Sequence, residues 1–198
     1  MLVAAVAARP QTKPFSTDPP DTHPQYFPKD SFANDPDSSD FEARWYAKHL
    51  RAMAEPSLLD ASKDRTVVAY RFLWLRTFHH PIAVRLTIRP DGTASLVGKE
   101  TTGQGGYKAG VVSVSKSSEV SALQVQEFLR LLQEATFWSS RTKEDAGGDD
   151  GAEWILEGVR DGTYLVVDRW SPKTGDYRNL CLFLLKLAGI KVEAKDVY

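Results

Sequence analysis

Three carboxylates near the C-terminal end of the sequence have types and spacing suited to acid–base chemistry. They belong to a predicted β-hairpin that turns at Asp161-Gly162, a strong two-residue turn signal. With that turn, Glu153, Glu157 and Asp168 lie on one face of the hairpin. Carboxylates gathered in this way can act as acid and base in a hydrolysis.

A second interpretation pairs the same carboxylates with basic side chains of the preceding strands. Arg85, Arg89 and Lys99 are predicted to point outwards from a β-meander, and opposite charges on neighbouring strands commonly pair. Such pairing is far more frequent than catalysis, so we favour it. Because exposed ion pairs contribute only about 0.2–1 kcal/mol, Asp168→Asn is then expected to change the stability slightly.

Aromatic and basic side chains on the same predicted open sheet face are candidate binding residues: Arg85, Arg89, Tyr164 and Trp170. Aromatic side chains in a polar surround are typical of interfaces. The sequence therefore predicts a non-catalytic interaction or binding module that docks a protein partner through its sheet face. The alternative is a small hydrolase, or a carbohydrate- or ligand-binding enzyme, that uses the three carboxylates with Trp170 as a stacking platform.

The other candidate sites are weaker. His79 and His80 are adjacent in a strand and would point to opposite faces, so a turn before Pro81 is favoured over a metal site or a general base. The GQGG segment, residues 103–106, lacks the strand-to-helix context and the lysine of a phosphate loop, and no Gly-x-Ser-x-Gly motif occurs. The acidic loop lacks calcium-loop spacing, so no metal or cofactor is expected there: Asp145, Asp149, Asp150 and Glu153.

Composition excludes several classes of protein. Twenty-five basic and 26 acidic residues leave a net charge of −1, whereas nucleic-acid binders normally have a basic excess. No apolar run approaches the roughly 18 residues of a membrane-spanning helix. A single cysteine excludes an internal disulfide framework and a cysteine-based zinc site. We therefore expect a protein partner, no nucleic acid, and membrane contact only through an N-terminal anchor.

The N-terminal segment differs from the remainder of the chain. Residues 1–9 contain LVAAVAA, which resembles the end of a signal or anchor but lacks a charged n-region; the alternative is a small apolar terminus that packs or frays. Residues 10–38 form a proline-rich arm, because seven of eleven prolines lie between Pro10 and Asp37. Its aromatic side chains are expected to dock on the chain's own domain: Phe15, Tyr26, Phe27 and Phe32. Export to the periplasm or cell envelope is favoured over a cytoplasmic location.

Residues 39–198 are predicted to form one domain. A capping box at Ser39 and Glu42 begins a helix on which His49 lies off the apolar stripe and is expected to be solvated. Thr66–Arg76 is apolar on both alternating sets apart from Arg71, which is typical of a central strand. A second strand follows, and a turn at residues 89–92 would set it against the third, with Leu86 opposite Leu96.

The remaining elements complete an α+β prediction. Residues 107–115 are expected to form a fourth strand, and a second capping box at Ser121 and Gln124 begins another helix. The last helix contains Cys181, which we interpret as a small buried hydrophobe. Short turns make consecutive strands antiparallel. We therefore predict a mostly antiparallel sheet of about six strands, a four-strand meander plus the C-terminal hairpin, with helices packed on one face.

Overall fold

The computed structural model describes residues 24–32, 36–144, 148 and 150–198. These residues form four α-helices, six strands and two short 3₁₀ helices. The helices are α1 Pro36–Ala52, α2 Leu58–Ala61, α3 Ala122–Glu134 and α4 Asp176–Leu187. The strands are β1 Val68–Arg76, β2 Ile82–Ile88, β3 Ala94–Thr101, β4 Val112–Val120, β5 Ala152–Arg160 and β6 Thr163–Trp170.

All six strands belong to one antiparallel sheet in the order β4-β3-β2-β1-β5-β6. The predicted α+β class and the six-stranded antiparallel sheet are therefore confirmed. The C-terminal hairpin joins the meander through β5, which pairs with β1. Strand β1 is consequently central, and eight of its nine residues are buried, as its two apolar sets predict.

Helices cover both faces of this sheet. Tyr70, Phe72 and Trp74 of β1 face a core that α3 and α4 complete. The prediction of helices on one face is therefore wrong, because α1 packs on the opposite face. The alternate residues Leu73 and Leu75 face a second core, which is built with α1 and residues 24–32. The sheet face that was predicted to be open therefore carries its own cover.

The described part of the proline-rich arm packs on that second face. Tyr26, Phe27 and Phe32 are buried, and Phe32 packs edge-on against Tyr46 of α1 with ring centroids 5.0 Å apart. These three aromatic side chains dock on the chain's own domain, as expected. Phe15 and the apolar segment of residues 1–9 lie outside the described residues.

Two element boundaries differ from the prediction. Helix α1 begins at Pro36, so Ser39 lies inside the helix; its hydroxyl accepts a hydrogen bond from the backbone N–H of Phe32 at 3.1 Å. The predicted capping box is therefore wrong, because Ser39 binds the arm instead of the helix end. Strand β4 begins at Val112 instead of residue 107, because residues 103–110 form a turn in which the N–H of Gln104 donates to Lys108 O.

Other local predictions agree with the structure. The Ser121–Gln124 capping box begins α3, and the predicted register places Leu86 opposite Leu96. Cys181 is fully buried, and burial raises the pKa of its thiol well above the ordinary value. Among the described residues, no helix combines the length and the apolar character needed to cross a membrane.

Candidate functional site

A cavity of about 680 Å³ lies between α1, the turn after β3 and the adjoining ends of β5 and β6. We call it the aromatic pocket, because five aromatic side chains line it: Phe41, Trp45, Tyr46, Tyr107 and Trp170. Three carboxylates also line it: Asp37, Glu42 and Glu153. A concave site with an aromatic wall and few polar groups is the usual form of a binding site in an uncharacterised protein.

Helix α1 supplies one wall through side chains four residues apart. Phe41 and Trp45 stack with ring centroids 6.0 Å apart, as side chains at this spacing can on a helix. The Trp45 indole N–H donates to Gly105 O at 3.1 Å. Lys48 donates to Tyr107 O at 2.9 Å, and its ammonium lies 3.6 Å from the Trp45 ring centroid. These contacts fix α1 against the turn that forms the next wall.

The GQGG segment, residues 103–106, forms that turn, and its backbone packs closely against the end of β1. The N–H of Gly105 donates to Arg76 O and to His79 O, both at 3.0 Å. A Cβ on Gly105 would lie 2.6 Å from Arg76 O, which no side chain tolerates. The glycines therefore serve a close approach of two backbones, and this approach places Tyr107 at the pocket rim.

Trp170 closes the opposite side. It is the last residue of β6, and a Cβ on Gly151 would lie 2.5 Å from its ring. Gly148 and Gly151 therefore let the backbone pass directly over the indole. Sequence analysis selected Trp170 as a stacking platform, and Trp170 lines the pocket.

Four charged side chains meet beneath the pocket and form what we call the Lys143 cluster: Glu42, Lys143, Glu153 and Asp168. The Lys143 ammonium lies 2.8 Å from Glu42 Oε1, 3.4 Å from Asp168 Oδ2 and 3.9 Å from Glu153 Oε1. A parallel bridge between Lys143 and Asp168 holds the backbone in place. Asp168 is fully buried, whereas the Glu153 side chain is 17% exposed and reaches the pocket.

The cluster contains three carboxyl groups and one ammonium group, and a proton shared between two of the carboxyl groups reduces the excess negative charge. Burial, together with the charge of Asp168, raises the pKa of Glu153 to about 9. Burial also raises the pKa of Asp168, but a hydrogen bond from Glu153, the Lys143 charge and the Tyr46 hydroxyl at 2.9 Å oppose the increase. Near neutral pH, the coupled pair of Glu153 and Asp168 therefore shares a proton.

Lys143 keeps its charge in this setting. Burial lowers the pKa of Lys143, but the three carboxylates around its ammonium outweigh burial and raise it. Burial and the charge of Asp168 raise the pKa of Tyr46 well above its ordinary value, so its hydroxyl stays a donor. The floor of the pocket therefore holds the Glu153 carboxyl group, whose proton is shared with Asp168 and which can attract a cation once it is ionised.

Glu157, the third carboxylate, does not reach the pocket. It is fully buried beside Arg71, whose Nη2 lies 2.5 Å from Glu157 Oε2, and it accepts the Tyr164 hydroxyl at 3.0 Å. Burial raises the pKa of Glu157, and Arg71 opposes that increase. The structure therefore divides the predicted carboxylate triad, with two members in the Lys143 cluster and one in a buried ion pair.

The predicted partners of these carboxylates are wrong. Arg85 and Lys99 both bind Glu55, at 2.8 Å and 2.9 Å, and Arg89 binds Glu119 at 2.6 Å. Glu55 reaches them because α1 crosses this face of the sheet. The same cover buries the hairpin carboxylates, so the expected small effect of Asp168→Asn no longer holds.

The predicted binding residues are also separated. Tyr164 joins the buried Glu157, Arg85 and Arg89 are engaged in ion pairs, and only Trp170 lines the aromatic pocket. Sequence analysis missed Phe41 and Trp45. The signal that could have found them is an aromatic pair four residues apart, displaced from the apolar stripe of α1.

His79 and His80 contact different partners. His79 Nδ1 lies 2.8 Å from the Tyr198 hydroxyl, while His80 Nδ1 lies 3.0 Å from Glu100 Oε1, so the pair diverges as predicted. His49 is fully buried, not solvated, because the 103–106 turn covers it. Burial and the nearby Lys48 lower the pKa of His49 to about 4.

No group of three or more side chains that could hold a metal ion occurs in the described part of the chain. Asp145 and Asp149 of the acidic loop lie outside that part. Comparison with known proteins adds no relative: no protein-family model matches the chain, and no curated protein matches it significantly in sequence.

Proposed function

We propose that this chain is a non-catalytic binding module whose binding site is the aromatic pocket. The observation that carries the proposal is the 680 Å³ cavity, lined by five aromatic side chains above one proton-bearing carboxyl group. Aromatic walls supply most of the contact area in such sites, and a few polar groups fix the orientation of the ligand. The pocket replaces the sheet face as the docking surface, because α1 and the arm cover that face.

The rim of the pocket supports binding to a larger partner. Phe41 and Tyr107 are 59% and 54% exposed, and Phe78, 51% exposed, lies beside Tyr107 with ring centroids 6.3 Å apart. Aromatic side chains are enriched at protein interfaces and often dominate the binding energy. A partner that inserts one group into the pocket would therefore also contact these exposed rings.

A small hydrolase is the second candidate, because one observation favours it. Glu153 holds a proton at neutral pH and faces the pocket, which are the properties of a general acid. The other two hairpin carboxylates do not supply the second group that hydrolysis requires. Asp168 has no exposed surface and Glu157 binds Arg71, so neither carboxylate can activate a water molecule in the pocket.

Export and the role of residues 10–23 also belong to this proposal. The LVAAVAA segment favours a site of action in the cell envelope, with the proline-rich arm as a tether. N-terminal sequencing of the mature chain from its native host tests this. A cytoplasmic protein that retains Met1 or Leu2 would contradict export and leave the pocket unaffected.

An NMR titration tests the pocket directly. The ¹⁵N-labelled chain is titrated with small organic cations, anions and neutral sugars while the indole N–H signals of Trp45 and Trp170 are followed. We expect one chemical class to shift both signals, and the double variant Phe41→Ala, Tyr107→Ala to lose the shift. Leu123→Ala is the matched control, since Leu123 is 77% exposed on α3, which packs on the opposite sheet face. A panel without effect would contradict the proposal.

Hydrolysis is tested by a panel of chromogenic esters and glycosides. If the second candidate is right, Glu153→Gln abolishes turnover while the fold persists, and Glu127→Gln, an exposed carboxylate on α3, leaves it unchanged. Loss of a general acid typically costs 10²–10⁴-fold in rate. The binding proposal predicts no turnover by any of the three proteins.

A further inference from the structure

We infer that the group recognised in the aromatic pocket is an alkylammonium cation, held by the aromatic wall and by the carboxylates at its floor. This inference rests on the proposed function and names the ligand class of the same site. It follows from three features of the described residues: the sign of the charges that line the pocket, the rings that surround it, and the proton held by the Lys143 cluster.

The charges that line the pocket are all negative in the described part of the chain. Asp37, Glu42 and Glu153 line it, and no described lysine, arginine or histidine does so. The Lys48 ammonium is outside this lining, where it contacts the Trp45 ring and Tyr107 O. Lys143 lies beneath, 13% exposed and in contact with three carboxylates, so its charge is already matched. Phosphates and carboxylates would meet repulsion here, whereas a cation meets attraction that the low-dielectric aromatic wall strengthens.

The aromatic wall already binds an ammonium group of this chain. The Lys48 ammonium lies 3.6 Å from the ring centroid of Trp45, and burial lowers its pKa. Indole faces attract cations because of their quadrupole, and cages of several rings are the usual site for quaternary ammonium groups. Phe41, Tyr107 and Trp170 bring further rings to the same cavity.

Glu153 couples cation binding to the loss of a proton. The groups that face it are Glu42 and Tyr46 from α1, Lys143 from the loop before β5, and Asp168 from β6. Of these, only Lys143 is cationic, so one carboxyl group of the cluster keeps a proton when the pocket is empty. A bound cation supplies the missing positive charge, which favours the ionised form of Glu153 and releases its proton. Affinity for the cation should therefore rise with pH.

The test compares choline with its uncharged isostere 3,3-dimethyl-1-butanol. Both are titrated into the full chain at pH 6, 7.5 and 9, and binding is followed through the indole N–H signals of Trp45 and Trp170. We expect choline to bind about tenfold more tightly than the alcohol at pH 9, a difference of about 1.4 kcal/mol. We also expect its affinity to fall at least threefold between pH 9 and pH 6.

Two variants separate the contribution of Glu153 to choline binding from that of the aromatic wall. Glu153→Gln should remove the pH dependence while the preference for choline over the alcohol persists in part. Phe41→Ala should weaken choline binding at every pH. Leu123→Ala is again the control that should change nothing. The same comparison of Nα-acetyl-lysine methylamide with its Nε-acetylated form shows whether the cation can be a lysine side chain.

The outcomes distinguish this inference from the proposed function. Equal binding of choline and the alcohol overturns the proposed cation, while the pocket remains a binding site. Choline binding that is independent of pH in the wild-type chain overturns the role of Glu153. If no probe of any charge shifts the two indole signals, both the inference and the proposed function fail.

Discussion

Replacing Arg71 with methionine tests how the fold tolerates charge in its second core. The guanidinium has no exposed side-chain surface and neither has Glu157, its ion-pair partner at 2.5 Å. Arg71 also donates to Pro56 O at 2.5 Å and lies 3.8 Å from Glu55. Among the described residues, the substitution leaves the buried Glu157 with the Tyr164 hydroxyl as its one hydrogen-bond donor.

The expected cost is large and depends on pH. Removing one partner of a buried ion pair typically costs about 3–5 kcal/mol. Burial already raises the pKa of Glu157, and Arg71 is the main group that opposes this increase, so Arg71→Met raises that pKa further. A carboxyl group with a raised pKa in the folded state stabilises the fold below its unfolded pKa and loses that contribution as the pH rises. The free energy of unfolding of the variant should therefore fall by up to about 1.4 kcal/mol per pH unit above pH 4.5.

Urea denaturation at pH 5 and pH 7 measures both effects. Arg71→Met should lose more stability at pH 7, and the double variant Arg71→Met, Glu157→Leu should recover at least about 2 kcal/mol, because no buried charge then lacks a partner. Arg89→Met is the matched control: its pair with Glu119 is 38% and 74% exposed, so we expect a cost below about 1 kcal/mol. An Arg71→Met cost as small as that of the control, or a double variant no more stable than the single one, would refute the reasoning.

Three further predictions concern the pocket and the arm. The folded pKa of Glu153, about 9, exceeds its ordinary value of 4.5, so its contribution to stability is lost as the pH rises between these values. In urea denaturation at pH 5, 7 and 9, the free energy of unfolding of Glu153→Gln should therefore depend less on pH than that of the wild type. An equal pH dependence of the two proteins would contradict the assignment of the proton. Phe32→Ala removes a ring that is 1% exposed and should cost about 3–5 kcal/mol in the same assay; a cost below about 1 kcal/mol would mean that the arm does not contribute to the core. Gly105→Ala places a Cβ 2.6 Å from Arg76 O and should cost about 1–3 kcal/mol while shifting the Trp45 indole N–H signal; an unchanged melting temperature would contradict the close approach of the two backbones.

Local sequence patterns determined most of the architecture. Alternating apolar residues identified β1 and β2, the Asp161-Gly162 turn set the register of the C-terminal hairpin, and Ser121 and Gln124 began α3 as predicted. These features depend on contacts within a few residues, so the local chain specifies them. The placement of Glu153, Glu157 and Asp168 on one hairpin face followed from the same register.

The tertiary structure decided what that face does. Nothing local in the sequence indicates that β5 pairs with β1, that α1 crosses the sheet, or that Phe32 binds Ser39 and so moves the start of the helix. These long-range contacts bury the hairpin carboxylates. On an open sheet face, the same carboxylates would be exposed to water. Burial, in turn, separates Glu157 from the others and gives it Arg71 as a partner.

The pocket itself lies beyond what spacing could reveal. Its walls come from α1, the 103–106 turn and the end of β6, which are remote from one another in sequence. Glu42 and Lys143 are 101 residues apart, yet they meet at 2.8 Å. A sequence fixes residue types and local periodicity, but the pKa of Glu153 depends on which charges surround it and how much water they exclude. Only the packing of α1 on the sheet determines both.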